Sequence, residues 1–355
     1  MNAPRILADH RRLLCDGVPL IDLRSPAEFA LGAFPGAINL PLLTDAERAA
    51  VGTRYKECGQ HSAIDLGQSL VSGATRSARI DAWRAFIATR PNAVLYCWRG
   101  GLRSQIAQEW LSAAGVDVAR IAGGYKALRR VCIDATSEFS APSRLLVIGG
   151  RTGSGKTELL NEFSGSIDLE RLANHRGSAF GATFTPQPMP IAFENELAIE
   201  MLRRLPLPRV LLEDESRTIG RLALPEILHG ALQTAPLVVL DVARNERAQR
   251  IYQEYIEAPL SRGITFSQLQ ERFSAAVDRI RRRLGGVRHT EVRSAIGAAF
   301  SVGRVVSDLH LVWIERLLEW YYDPMYEHQL TAKRSRIAML GDRATIRAFL
   351  HKTLV

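Results

Sequence analysis

The sequence predicts an α/β protein built as two parallel-sheet units in series. Three observations lead there. The 355 residues exceed what one ordinary core accommodates. Short branched-apolar runs alternate with segments of helical period, the pattern of strand–helix–strand crossovers. Two glycine-bearing turns that each follow a strand and open a helix, at 97–104 and 150–157, fall one in each series.

In the first series PLIDL (19–23), AVLYC (93–97) and VARI (118–121) read as strands, and 80–88 and 104–114 carry helical spacing. SEFSAPS (137–143) is rich in small residues with one proline, so a first domain is expected over 1–137. RLLVIG (144–149) then opens a second series, followed by a helix beginning at Lys156. TPQPMP precedes a helix over 191–205, and RVLLE (209–213) and PLVVLDV (236–242) are buried-type strands. The pattern from Asn245 onward is nearly all helical. We place the second domain at 143–300 and a helical C-terminal segment, packed on it, at 301–355. The aromatics of WIERLLEWYYDPMY (313–326) are expected to serve packing.

Composition narrows the function classes. With 46% apolar and 23% charged residues the chain has a globular make-up. The start MNAPRILADHRRLL lacks the apolar core of a signal peptide, and runs such as LVVL are too short to span a bilayer. A cytoplasmic location without a membrane partner is expected. The four cysteines, Cys15, Cys58, Cys97 and Cys132, form no CxxC pair, which argues against a zinc site or a disulfide framework. Cys58 is expected in a polar loop and could act as a resolving thiol, whereas Cys15 and Cys132 sit among apolar neighbours. The net charge of +9 is spread over the chain, with 17 Lys/Arg against 13 Asp/Glu in residues 1–140 and 29 against 24 beyond. A polyanionic partner fits this balance. The densest run, DRIRRRLGGVRHTEVR (278–293), holds six arginines and offers Arg279, Arg281, Arg282 and Arg283 as nucleic-acid contacts, or as a solvated helix face.

Gly150-Arg151-Thr152-Gly153-Ser154-Gly155-Lys156-Thr157 matches GxxxxGK[ST] between a strand and a helix. Glycines let backbone N–H groups turn toward anionic oxygens, Lys156 supplies a cation, and Thr157 can hold Mg²⁺. The motif specifies a phosphate chain and not what is attached to it. Glu213-Asp214-Glu215-Ser216-Arg217, at the end of a strand, offers carboxylates for Mg²⁺ or its waters, and spacing does not say which of the three matters. His175 and Arg176, in LANHRGSAFG (172–181), are candidates to contact the bound anion, with a surface loop as the plainer alternative.

In YCWRGGLRS the strand AVLYC delivers Cys97 to a turn containing Trp98, Arg99, Gly100 and Gly101, with Arg103 and Ser104 at the start of the next helix. Inward N–H groups, the helix terminus and Arg103 would all stabilise a thiolate. Five residues between Cys97 and Arg103 is the spacing of cysteine-dependent phosphate-ester hydrolysis. Typical sulfur-transfer loops are one residue shorter.

The context of this loop carries a resemblance. DLRSPAEF (22–29) with GAFPGAINLP (32–41) upstream, and ARIAGGYKA (119–127) downstream, resemble the motifs of rhodanese-like domains, in order. Cell-cycle-type phosphatases share that fold, so the fold alone leaves the reaction open. The expected architecture is therefore an N-terminal rhodanese-like domain followed by a P-loop NTPase-like parallel α/β domain with a helical C-terminal segment. That pairing resembles one family over nearly the whole chain, the bacterial tRNA 2-selenouridine synthases. It does so through 47–73, YCWRGGLRS, GGRTGSGKTELL, LANHRGSAFG, LLEDESRTIG and YYDPMY.

The resemblance implies a two-stage reaction on 2-thiouridine at the tRNA wobble position. The sulfur is first alkylated from geranyl diphosphate, and selenium from selenophosphate then replaces the geranylthio group. It also implies that the phosphate loop holds the diphosphate, and that Arg103 and the loop N–H groups bind selenophosphate. Cys97 would then take selenium as a perselenide or orient the anion. No tightly bound cofactor is expected apart from Mg²⁺ through Thr157. A selenophosphate-supplying enzyme is an expected partner, Trp98 is a candidate for stacking on an anticodon base, and a hydrophobic pocket beside the phosphate loop is implied for the geranyl chain. Two rivals stay open. One is a cysteine phosphatase or sulfurtransferase fused to a kinase-like domain, though Tyr96 stands where phosphatases carry a histidine. The other is a tRNA-binding module with a vestigial first domain.

Overall fold

The two apolar series form two separate parallel sheets in the computed structural model, which describes residues 5–303 and 305–354. Compact units run over Met1–Phe139 with Pro188–Arg203, and over Ser140–Gln187 with Arg204–Val355.

In the first unit β1 (Ile6–Leu7), β2 (Leu20–Asp22), β3 (Ala37–Asn39), β4 (Val94–Tyr96) and β5 (Ala119–Ile121) order as β1-β5-β4-β2-β3, every pair parallel. The central strands β2 and β4 are buried throughout, so neither PLIDL nor AVLYC alternates apolar with polar residues; the one charged residue, Asp22, is buried and paired with Arg24. Helices Gly73–Thr89 and Leu102–Ala113 cover the expected helical segments. Helix Gly124–Phe139 runs through Ser137 and stops three residues before Pro142.

Sequence reading missed the helix Asp45–Leu70. It opens with a capping box in which Thr44 Oγ1 accepts from the Glu47 amide at 3.2 Å and the Thr44 amide donates to Glu47 at 2.7 Å. Gly59, at φ +81° and ψ −178°, breaks it into two helices of different direction. Cys58 therefore lies in exposed helix beside the break, not in a polar loop; an exposed helix is polar too, and composition does not separate the two.

Helix Pro190–Arg204 belongs to this unit although its sequence lies inside the second series. Asn195 Nδ2 donates to the Ala33 carbonyl at 3.0 Å, and Arg129 binds Asn195 at 2.9 Å and pairs with Glu194.

In the second unit β6 (Leu145–Gly150), β7 (Ser166–Ile167), β8 (Val210–Glu213), a hairpin of β9 (Thr218–Ile219) and β10 (Leu222–Ala223), β11 (Leu237–Leu240) and β12 (Ile337–Gly341) follow in order. The main sheet is β12-β11-β6-β8-β7, all parallel. β12 corrects the all-helical expectation after Asn245. It is a half-buried edge strand of five residues, too short for its alternation to stand out from a helical period. The helices beyond residue 244 gather a separate core of Phe273, Ile280, Phe300, Trp313, Tyr321 and Tyr322, so the aromatics of 313–326 do pack. No helix among the described residues is long and apolar enough to cross a membrane.

Candidate active site: two oxyanion loops

Cys97 leaves β4 buried, at 3% exposure, with Sγ 3.4 Å from Ser104 Oγ. Ser104 Oγ in turn donates to the Gly101 carbonyl at 3.0 Å. The turn is held by backbone contact with the Gly123-Gly124 motif. Tyr125 N donates to the Cys97 carbonyl at 2.8 Å and Lys126 N to that of Trp98 at 3.0 Å. Gly100 has φ +63°, and a Cβ there would sit 2.6 Å from the amides of Gly123 and Gly124. A Cβ on Gly124 would come within 2.3 Å of the Cys97 carbonyl. Gly100 and Gly124, far apart in sequence, serve one close backbone approach.

Arg103 is aimed by Glu28, to which Nη1 donates at 2.6 Å and Nη2 at 3.4 Å, and Arg48 also bonds Glu28 at 3.4 Å. Burial pushes the Glu28 carboxyl up, but the Arg103 hydrogen bond and charge win and hold it below the usual range. Beneath the loop, Asp22 and Arg24 form a buried pair with Nη2–Oδ2 at 2.6 Å, and Tyr96 Oη donates to the same carboxylate at 2.6 Å. Arg24 stacks on Tyr125 at 3.9 Å, and Trp98 stacks on Tyr125 at 5.3 Å with 12° between the rings. One face of Trp98 is thus spent on packing. Arg99 is exposed.

The second loop leaves β6 and enters a short helix, Lys156–Leu160. Lys156 Nζ donates to the Gly150 carbonyl at 2.9 Å, closing the loop on itself. Two arginines brace it from outside: Arg250 donates to the Gly153 carbonyl at 3.1 Å, and Arg247 to that of Thr152 at 3.2 Å. Arg247 is buried and forked onto both Asp323 oxygens at 2.9 Å. That explains the aspartate in YYDPMY: it fixes the arginine that fixes the loop. Arg151 turns outward to Asp241 and Glu327, and Ser154 is buried.

The choice among the three carboxylates after β8 is made by tertiary contacts. Asp214 pairs with Lys333 at 2.6 Å and Arg336 at 3.3 Å. Glu213 and Glu215 instead converge with Glu170, with ligand-type oxygens all within 4.8 Å of one another. Thr157 Oγ1 donates to Glu213 Oε1 at 2.6 Å, while Glu213 Oε2 is buried without a partner. Burial first, and mutual repulsion second, push the carboxyls of Glu170 and Glu215 up to about 9 and about 8; burial also raises Glu213, to about 7. One buried and two half-buried acids, with an orphan oxygen beside a threonine, form a hard-oxygen donor set short of positive charge, and these residues fit Mg²⁺. Glu170 had no signal in the sequence beyond lying near LANHRGSAFG. An apolar cavity does adjoin this loop, lined by Thr152, Phe180, Ile251, Phe273, Trp313 and Tyr322, but its volume is only about 30 Å³.

Residues 143–355 match the family model described as the tRNA 2-selenouridine synthase AAA domain, and residues 7–130 match the rhodanese-like domain. A tRNA 2-selenouridine synthase of Cupriavidus necator is 45% identical over 354 residues, covering 97% of this chain and 96% of its own. Those of Shewanella frigidimarina and Pseudomonas syringae are 43% and 44% identical, each covering 97% of both chains. The chain belongs to the tRNA 2-selenouridine synthase family.

The family's remaining motif residues occupy distinct settings. In LANHRGSAFG, Arg176 is half-buried, stacks on Tyr255 at 4.5 Å and donates to the Glu254 carbonyl at 3.3 Å. His175 is half-buried, and burial together with Arg272 and Arg279 lowers its pKa. Gly177 lies against the acidic trio: a Cβ there would stand 2.7 Å from Glu170 Oε1. Arg217 is exposed. Arg279, Arg281, Arg282 and Arg283 are exposed at the end of helix Phe266–Leu284, with Arg279 donating to the Ala179 carbonyl at 3.0 Å.

Proposed function

We propose that this protein replaces the sulfur of wobble 2-thiouridine in tRNA by selenium in two redox-neutral stages, one at each loop. What carries the reading is the pairing, within a chain of this family, of a cysteine loop of phosphatase size with a complete phosphate loop. Both are cradles for phosphorus oxyanions.

In the first stage the thiouridine sulfur attacks C1 of geranyl diphosphate, a C–S bond forms, and the C–O bond breaks with its pair going to the diphosphate. Lys156 and the loop amides take up the charge on that leaving group. Mg²⁺ held by Thr157, Glu213, Glu215 and Glu170 would add Lewis-acid neutralisation of the same charge. Alkylation makes the sulfur a competent leaving group, because it departs as a thiol.

In the second stage Arg103 and the amides of 98–103 bind selenophosphate. The selenium there is already selenide bonded to phosphorus(V). Moving it onto Cys97 as a perselenide would expel phosphorus as phosphite or require an oxidant. Attack of the Cys97 thiolate on phosphorus requires neither: an S–P bond forms, the P–Se bond breaks, and its pair leaves as hydrogen selenide. Hydrogen selenide adds to C2 of the alkylated base, the C2–S bond breaks, and geranylthiol departs with a proton. Water then hydrolyses the S–P bond to return Cys97 and phosphate. The exposed arginines at 279 and 281–283 are suited to tRNA phosphates.

Mass spectrometry of nucleosides from thiouridine tRNA incubated with geranyl diphosphate and selenophosphate tests the assignment. Lys156→Ala should block geranyl addition, and Cys97→Ser should accumulate S-geranyl-2-thiouridine without selenouridine. Failure of both variants at the same step would sink the division of labour.

A further inference from the structure

One recess in the first unit has no role in the scheme above. It is a cavity of about 450 Å³ that shares a wall with the cysteine loop, since Gly101 and Arg103 line it. Val51, Ile64, Ile106 and Trp110 make its interior apolar. Residues on both sides of the break at Gly59 line it, Val51 from the helix before the break and Ile64 from the helix after it. Trp110 is clamped in place by Trp83, stacked at 6.3 Å, and by Arg76 at 4.4 Å over its ring. The rim is polar and open, with Tyr55 at 57% exposure and Arg99 exposed.

An apolar recess of this size beside a nucleophile is a binding site for a carbon chain attached to the reacting group. At roughly 30 Å³ per heavy atom, the share of a water in the liquid, ten carbons need about 300 Å³. The recess accommodates that; the cavity beside the phosphate loop, at about 30 Å³, does not. We infer that this cavity holds the geranyl chain of the alkylated nucleoside during selenation and receives the departing geranylthiol, so that chain recognition lies beside Cys97. The inference rests on the two-stage reading. A chain seated against Gly101 and Arg103 fixes the C2–S bond near the selenium source, and Arg99 at the rim faces the RNA backbone that carries the base.

The test supplies selenophosphate and an anticodon stem-loop RNA bearing either S-geranyl- or S-methyl-2-thiouridine, and reads the ratio of kcat/KM for selenouridine formation. The wild-type protein should favour the geranyl substrate at least tenfold. Ile64→Trp, which puts an indole into the chain's path in the cavity, should lower that ratio at least tenfold, whereas Ile64→Val should keep it. Should Ile64→Trp fail to fold, wild-type protein titrated with geranyl methyl sulfide decides, because the cavity reading requires a saturable change in Trp110 fluorescence. An unchanged ratio in Ile64→Trp, or no fluorescence response, overturns the cavity assignment alone. If wild-type protein converts neither alkylated RNA, the two-stage reading falls and the cavity assignment falls with it.

Discussion

Replacing Arg24 by methionine isolates the buried pair under the cysteine loop. Arg24 and Asp22 are 1% and 0% exposed. The guanidinium gives Asp22 contacts from Nε at 2.9 Å and 3.1 Å and from Nη2 at 2.6 Å, and gives the Gly32 carbonyl one more at 2.9 Å. In Arg24→Met, Asp22 keeps only the Tyr96 hydroxyl and the amide of residue 24. A buried carboxylate stripped of its cation costs about 3–5 kcal/mol. Asp22→Asn strands the arginine and should cost a similar amount. The double variant Asp22→Leu/Arg24→Met leaves no charge behind, so its cost should fall short of the sum of the single Asp22→Leu and Arg24→Met costs by about 2 kcal/mol or more. Native-state hydrogen exchange of the β2 and β4 amides in the full-length chain reads these values locally. Because Arg24 stacks on Tyr125, and Tyr125 N holds the Cys97 carbonyl, selenation should fall further than geranyl addition. A loss below about 1 kcal/mol in Arg24→Met, or strict additivity in the cycle, would refute the reasoning.

Two further outcomes follow from buried titrating groups. Burial lowers the His310 pKa to about 4, with Nδ1 accepting from Trp313 Nε1 at 3.3 Å and Nε2 lacking a partner. Its unfolded value is about 6.5, so only the unfolded chain takes up the proton as pH falls from 6.5 to 4. Stability is full above pH 6.5 and drops by about 3 kcal/mol on reaching pH 4, a loss that His310→Gln should remove from denaturation midpoints measured across that range. Burial also pushes the Cys132 thiol up to about 12, while Cys58 is exposed. Iodoacetamide at pH 8 should therefore modify Cys58 in the native protein and Cys132 only on unfolding, as peptide mapping would show; early labelling of Cys132 would contradict its burial.

Local pattern carried much of the molecule. The runs PLIDL, AVLYC, RLLVIG and PLVVLDV became strands of the two sheets because burial on both faces demands largely apolar sequence without alternation, and that demand is visible in any short window. Both strand–turn–helix loops were legible for a similar reason: such a turn needs glycine at set positions, and the motif puts a cation at a set distance, all within a few residues.

What the sequence left undecided depends on residues that meet only after folding. Spacing could not choose among Glu213, Asp214 and Glu215; the choice was made by Lys333 and Arg336, which neutralise Asp214, and by Glu170, which joins the other two. Glu28 aiming Arg103, and Asp323 holding Arg247 against the second loop, link positions 75 and 76 residues apart. The helix Pro190–Arg204 joined the first unit through Arg129 and the Ala33 carbonyl, which no boundary signal near 137–143 could announce. The cavity beside Cys97 is the strongest case. Its walls come from residues 42 to 110, each ordinary in its own window, and they include residues on both sides of the helix break at Gly59. The sequence by itself determined which strands form and which strand–turn–helix loops carry glycine and a cation, since those properties are local. Which carboxylates converge, which arginine is aimed, and where an apolar cavity opens were decided by tertiary structure, because charge neutralisation and enclosed volume belong to groups brought together from across the chain.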